Sequence, residues 1–270
     1  MPGVPNALFG RLVEISGFEC GYITGAGIAN MQFGVPDIGL VSLAEVVDQV
    51  WPICDATDLP MLVDCDTGFG NAINTQRTVR MVEKAGAAGA QIEDQVFPKR
   101  CGHFSGKAII STEEMVMKIK AAVDARVDPD FQIVARTDAI AVDGLDAAIE
   151  RAHAFIEAGA DATFVEAPLD IEAIGRIAAE LPVPQVINLV HGGRTPPISQ
   201  QRLVEMGYAT TLYANAVLQG ALKAAMDILT QLKAHGSLET LEDRLASFEF
   251  RQTAVGKPIY DALEQHYSVS

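Results

Sequence analysis

Asp64 and Asp66 stand one residue apart in VDCDTGFGN (63–71), at the end of an apolar run. Alternate residues of a strand share a face, so both carboxylates can aim at one point. Two hard oxygen anions suit Mg²⁺, or Mn²⁺ in its place; Mg²⁺ takes one or two carboxylates and fills its shell with water and substrate oxygens. Glu93, in the run QIED (91–94), can join through a water. The competing reading of the pair is a helix N-cap beside a solvated aspartate.

A second chemical stretch is VFPKRCGHFSGK (96–107), which has neither helix nor strand pattern. Zinc needs four ligands, and only Cys101 and His103 are local, so a structural zinc site is improbable. A redox pair lacks a neighbouring cysteine. Lys99, Arg100 and His103 create a positive field that lowers a thiol pKa and makes proton exchange feasible near neutrality. A lid carrying a proton donor fits best; an inert surface thiol is the alternative. Arg136, in ARTDA (135–139), closes an apolar strand and needs an anion. That anion is a bound carboxylate held by the guanidinium fork, or else Asp138 or Glu166. In TGAG (24–27), backbone N–H groups and the Thr24 hydroxyl can hold a carboxylate; a plain tight turn explains the same residues.

These groups need a scaffold that brings strand ends together. The units ISGFECGYITG (15–25), KAGAAGAQIED (84–94), EAGADATFVEA (157–167) and EMGYATTLYAN (205–215) share one plan. Each has a helix tail, a Gly for the left-handed cap, then an apolar run ending in a polar residue. Three further strands lie at 60–66, 131–138 and 183–189, and PGVP at the N-terminus makes an eighth. Helical patterns fall at roughly 42–56, 73–85, 111–126, 144–158, 170–180, 199–206 and 215–235, and Ser111-x-x-Glu114 reads as a capping box. Strict alternation with about eight units predicts a (β/α)8 barrel, whose usual length of roughly 250 residues suits this chain. A doubly wound sheet is the alternative, weakened by the lack of a GxGxxG loop. The expected organisation is one barrel domain over 1–270, with a polar helical extension at about 236–270 that can dock on a neighbouring subunit. Barrel enzymes place their chemistry where strands end. Here those ends carry Thr24, Asp64, Asp66, Glu93, Asp94, Arg136, Asp138, Glu166 and Asn188.

Together KRCGH (99–103), DCDTGFGN (64–71), IEDQ (92–95), ARTDA, HGGRTP (191–196) and TGAG…GVPDIG (24–39) resemble the isocitrate lyase/phosphoenolpyruvate mutase superfamily over nearly the whole chain. The likeness is greatest to 2-methylisocitrate lyases, 2,3-dimethylmalate lyases and carboxyvinyl-carboxyphosphonate phosphorylmutases. It implies a barrel whose eighth helix is exchanged between subunits of a homotetramer. It implies Mg²⁺ on Asp64 and Asp66 with Glu93 in a water-mediated shell, and a gating loop carrying Lys99 to His103. Cys101 would protonate the carbanion left by C–C cleavage, with Lys99, His103, Arg136 and Glu166 as further catalytic groups. Thr24, Gly25, Ala26, Gly27, Asp37, Gly102, Arg136 and Asn188 would bind substrate. The sequence departs from the family at Gln91, where many lyases carry His, at His191, at TGAG, and at LYANA (212–216), which changes the pocket wall. From this resemblance the chain is also expected to lack the family's helix ahead of the first strand.

The implied reaction is metal-dependent cleavage of a 2-hydroxy di- or tricarboxylate into a 2-keto acid such as pyruvate and a second carboxylate. Phosphonomutase chemistry, and hydrolysis or decarboxylation of oxaloacetate, are the enzymatic alternatives. A barrel reduced to a binding subunit predicts a decayed rim, which Asp64, Asp66, Glu93, Cys101 and Arg136 contradict. With 35 acidic against 20 basic residues, the net charge of -15 disfavours nucleic acid and anionic membranes as partners. No apolar run approaches the ~20 residues a membrane span needs, and the N-terminus does not read as a signal peptide. Four scattered cysteines without a CxxC pair read as thiols of a reducing cytoplasm.

Overall fold

The computed structural model describes residues 1–100 and 106–268. The first half of the chain runs β1 (Gly3–Val4), α1 (Ala7–Ile15), β2 (Gly21–Ile23), α2 (Gly25–Gln32), α3 (Leu43–Ala56), β3 (Met61–Asp64), α4 (Ala72–Lys84) and β4 (Gly89–Glu93). It continues with α5 (Thr112–Ala125), β5 (Gln132–Thr137), α6 (Leu145–Glu157), β6 (Ala162–Val165), α7 (Ile171–Glu180), β7 (Gln185–Asn188), α8 (Gln200–Glu205) and β8 (Thr210–Leu212). Beyond it lie α9 (Ala216–His235), α10 (Phe248–Ala254) and α11 (Lys257–Tyr267).

All eight strands are parallel and lie in chain order, β1 to β8. A parallel bridge between Pro2 and Tyr213, with Gly3 N–H donating to the Tyr213 carbonyl at 3.1 Å, joins the last strand to the first. Gly3 is required there, because a Cβ would meet the Ala214 carbonyl oxygen at 1.9 Å. The result is the expected (β/α)8 barrel, with PGVP as its first strand. The seven expected helical stretches each hold a helix within a residue or two of the sequence boundary. Two further helices lie between β1 and α3: α1, of which the sequence showed only the tail, and α2, which starts inside TGAG, where the sequence suggested a turn. Ser111 caps α5 by accepting from Glu114 N–H at 3.1 Å.

Helix starts are set locally. Asn6, Thr24, Ser42, Asn71, Ser111, Asp170, Ser199 and Ser247 each accept a backbone N–H of their helix's first turn through the side-chain oxygen. The core then forms in two shells. Outside the strands, Val46, Ile53, Val79, Ile92, Ile119 and Phe155 are among the buried residues that seat helices on the sheet. A separate cluster of Tyr22, Val134, Ala162, Phe164, Val186 and Leu212 fills the barrel interior.

α9 and α11 bury no residue, and α9 is the longer of the two. It runs 20 residues without a single buried one, and Leu222, Met226 and Leu229 stand more than half exposed. No helix among the described residues is long and apolar enough to cross a membrane.

Candidate active site

The interior cluster also places the polar groups. Side chains two apart on a strand point the same way. Counting two residues on from the inward-facing Tyr22, Leu62, Val134, Phe164 and Val186 reaches Thr24, Asp64, Arg136, Glu166 and Asn188. Gln91 and Glu93 stand in the same relation on β4. All these second members lie at the C-terminal ends of their strands. They line one cleft of about 440 Å³, open mouth included, together with Ala26, Asp37, Lys99, Arg100, Leu212, Ala214 and Asn215.

Strand register brings charges into contact. Glu93 and Arg136 are cross-strand neighbours, and Arg136 Nη1 lies 3.2 Å from Glu93 Oε2. Its Nε donates to Asp138 Oδ2 at 2.9 Å and its Nη2 to Asp138 Oδ1 at 3.1 Å, while Glu166 Oε2 lies 3.6 Å from Nε. Burial disfavours the charge on Arg136, but Asp138, Glu93 and Glu166 outweigh it and raise its pKa well above the usual value. Arg136 thus has protein carboxylates on its fork. Asp138 is buried, yet Arg136 and Lys107 hold its pKa below the normal carboxylate value. Burial pushes Glu93 well up, Arg136 opposing and Asp138 reinforcing the rise.

Asp64 ends β3, but Asp66 lies past the strand in a left-handed turn with φ 46. It is this turn, not strand alternation, that brings the two together. Asp66 N–H donates to Asp64 Oδ1 at 3.2 Å, and Gly25 N–H to Asp64 Oδ2 at 3.3 Å. A Cβ on Gly25 would sit 3.1 Å from Asp64 Oδ2 and 3.4 Å from Asp66 Oδ1, so both oxygens face the same spot. The helix behind this turn is capped by Asn71, so neither aspartate serves as its cap. Gln91 is fully buried; it accepts from the Tyr22 hydroxyl at 2.9 Å and donates to Asp64 Oδ1 at 3.5 Å, orienting that carboxylate.

Lys99 reaches into this cluster. It pairs with Asp37 and lies 2.9 Å from Asp66 Oδ1. Burial works against its charge, but Asp66, Asp37, Asp64 and Glu93 raise its pKa well above normal. Burial, opposed by Lys99, lifts Asp66 to about 6. Lys107, at the far end of the same loop, pairs with Asp138 at 2.5 Å.

Among the described residues no three His, Cys, Asp or Glu side chains stand ready as a metal cage. A hard divalent cation needs less, because water supplies most of its shell. Asp64 and Asp66 offer adjoining oxygens, and Glu93 Oε1 is buried without a hydrogen-bond partner. The donor set therefore fits Mg²⁺ or Mn²⁺.

Of the described candidates, Thr24, Ala26, Asp37, Asp64, Glu93, Lys99, Arg136, Glu166 and Asn188 line the cleft, and Gly25 and Asp66 line a recess beside it that also includes Asp37 and Asp64. Gly27 does not: its α-carbon packs on Thr24 and Pro5. The Thr24 hydroxyl oxygen is used as a helix cap for Gly27 N–H. Asp94 turns away and accepts from Thr137, Asp138 N–H and Arg151. Cys101, Gly102 and His103 lie outside the described residues. Sequence reasoning passed over Tyr22 and Phe164 as lining residues, and met Asn215 only within LYANA as pocket wall. Tyr22 was detectable as the strand partner of Thr24, and Asn215 as the polar end of TLYAN.

A family profile described as phosphoenolpyruvate phosphomutase matches residues 1–233. A 2,3-dimethylmalate lyase of Eubacterium barkeri is 43% identical over 267 residues, covering 99% of this chain and 92% of the relative. A 2-methylisocitrate lyase of Shewanella oneidensis is 43% identical over 252 residues, 92% of this chain and 86% of its own. Among solved structures, an oxaloacetate acetylhydrolase bound to 3,3-difluorooxalacetate superposes with a TM-score of 0.91 at 35% identity, covering 97% of this chain and 89% of that one.

Proposed function

The chain belongs to the phosphoenolpyruvate phosphomutase family, a group that includes carbon–carbon lyases, and from that premise we propose that it is a Mg²⁺-dependent lyase. Its substrate is a 2-hydroxy di- or tricarboxylate of the 2,3-dimethylmalate or 2-methylisocitrate type, split into a 2-keto acid such as pyruvate and a second carboxylate. The observation that carries this is the cleft itself, where Asp37, Asp64, Glu93, Lys99, Arg136 and Glu166 meet at the strand ends.

Asp64 and Asp66 would hold the metal, with Glu93 placed to join them through water. When bound, the ion polarises the substrate's oxygens as a Lewis acid. The substrate hydroxyl gives its proton to a rim carboxylate, for which Glu166 is the candidate. The C–C bond breaks, its electron pair leaving on the departing fragment while the former hydroxyl oxygen becomes the keto group. Arg136 and Lys99 stabilise the negative charge that builds up. Cys101 delivers a proton to the carbanion, and the resulting thiolate is reprotonated after product release. His103, on the same loop, keeps that thiol in a positive field. Thr24, Gly25, Ala26, Asp37, Gly102 and Asn188 complete the substrate and metal surround.

A homotetramer of helix-exchanged dimers accounts for α9, whose apolar side chains have no cover in one chain. The described cysteines are free thiols, as suits a cytoplasmic enzyme. A second reading, hydrolytic cleavage of oxaloacetate, draws on the likeness to the oxaloacetate acetylhydrolase. The test is keto-acid release from 2-methylisocitrate, isocitrate, 2,3-dimethylmalate, 2-methylmalate and oxaloacetate, each with Mg²⁺ and with EDTA. Metal-dependent pyruvate or glyoxylate is the expected product. Acetate and oxalate from oxaloacetate alone would favour the second reading, and silence on every compound would overturn both.

A further inference from the structure

Asn215 occupies the N-cap position of α9, yet it does not cap the helix. Every other α-helix that starts on Asn, Ser, Thr or Asp among the described residues is capped by that side chain. Asn is among the best capping residues, so the missing bond is a lost stabilisation. The amide lines the active-site cleft, where its Oδ1 is buried with no hydrogen-bond partner. A buried amide end without a partner is costly unless a ligand completes it.

Two further observations give the amide a context. Asn188, on the adjoining strand and 9% exposed, also has a buried Oδ1 without a partner in the same cleft. Asn215 also lines a second, outer groove of about 900 Å³, open solvent included. Ala26, Asp37 and Asn215 are the residues common to the two spaces, so Asn215 stands on the border between them. The outer groove presents Asn30, His191 and Gln219 beside Pro36, Val190 and Leu218, so polar groups stand on a largely apolar wall.

We propose that Asn215 is a specificity-determining residue that selects substrates bearing an oxygen, as carboxylate or hydroxyl, at the end of the arm directed into the outer groove. This rests on the lyase reading and narrows its substrate class: an arm with a polar end is favoured over the same arm ending in methyl. An amide turns either its oxygen or its nitrogen to the ligand, so it completes a hydroxyl or a carboxylate. An alkyl end leaves it buried and unpaired.

The test is calorimetric binding of butyrate, 4-hydroxybutyrate and succinate to the full-length chain with Mg²⁺ and pyruvate present. At least one polar probe is expected to bind roughly 10- to 100-fold more tightly than butyrate. Asn215→Leu should bring that ratio to about one. Asn215→Asp keeps shape and capping capacity, and serves should the leucine variant fail to fold; it should weaken succinate through like-charge repulsion while retaining 4-hydroxybutyrate. That split identifies which oxygen group the site reads. Wild-type protein that binds no probe, or shows no preference for a polar end, overturns the proposal, as does a preference unchanged in the variants. A chain that keeps the preference but releases no keto acid overturns the lyase reading alone.

Discussion

Lys99 carries its ammonium 2.9 Å from Asp66 Oδ1, one of the two carboxylates assigned to the metal. The same ammonium pairs with Asp37, so it neutralises part of the anionic cluster. A divalent cation must compete with this charge. Lys99→Met should therefore tighten Mn²⁺ binding in the absence of substrate by about tenfold or more, read by electron paramagnetic resonance. Keto-acid release should fall at least ~100-fold. Unchanged Mn²⁺ affinity would mean that the lysine leaves the cluster at no cost.

Gly25 is where the backbone meets the two aspartates. A methyl group there would stand 3.1 Å from Asp64 Oδ2. Gly25→Ala should displace that carboxylate by a few tenths of an ångström and weaken Mn²⁺ by about tenfold, roughly 1.4 kcal/mol. Thermal stability should hardly move, because alanine favours the first turn of α2 by up to about 1 kcal/mol. Full metal affinity in the variant would remove Asp64 from the metal's ligands.

Lys107 and Asp138 form an ion pair whose side chains are 1% and 0% exposed. Lys107→Met leaves Asp138 with Arg136 alone, and should cost about 3 kcal/mol in denaturant unfolding. In sign, Asp138's folded pKa lies below its unfolded value of 3.8. The pair thus stabilises fully above pH 3.8 and loses its contribution as pH falls through the depressed folded pKa. Asp138→Asn should flatten that acid limb of the stability curve. An unchanged acid limb would show that Asp138 takes up its proton at the same pH folded and unfolded.

The thiols should separate by reactivity. Burial raises the pKa of Cys20, lifts Cys54 to about 11, and with Asp64 and Asp66 raises Cys65 well above normal. Limited iodoacetamide at neutral pH, followed by peptide mass spectrometry, should place the first label on Cys101. Cys101→Ser should keep Mn²⁺ and pyruvate binding while losing most turnover. First labelling at Cys20 or Cys54, or wild-type rates in the serine variant, would end the proton-donor assignment.

Much of this architecture was legible in the sequence. Glycines after helix tails, apolar runs ending in polar residues, and Ser111 ahead of its helical pattern are local signals, and local chemistry decides them. Thr24, Asp64, Glu93, Arg136, Glu166 and Asn188 could be read as strand ends, and a barrel gathers strand ends on one rim. α2 was hidden because TGAG reads as a turn until Thr24 caps Gly27.

What the tertiary structure decided was partnership. Sequence left Arg136 between a bound carboxylate and a protein one; register and the turn after β5 put Glu93 and Asp138 on its guanidinium. Strand alternation suggested why Asp64 and Asp66 converge, but a left-handed turn brings Asp66 round. Lys99 reads as one charge of a basic loop, yet it lies among Asp37 and Asp66 from elsewhere in the chain. Asn215 reads as the polar end of an apolar run, and the fold turns its amide into the cleft ahead of α9. The reason is common to all four. Periodicity and capping depend on neighbours within a few residues, whereas the partner of a buried charge or amide is set by how distant strands are registered around a closed barrel.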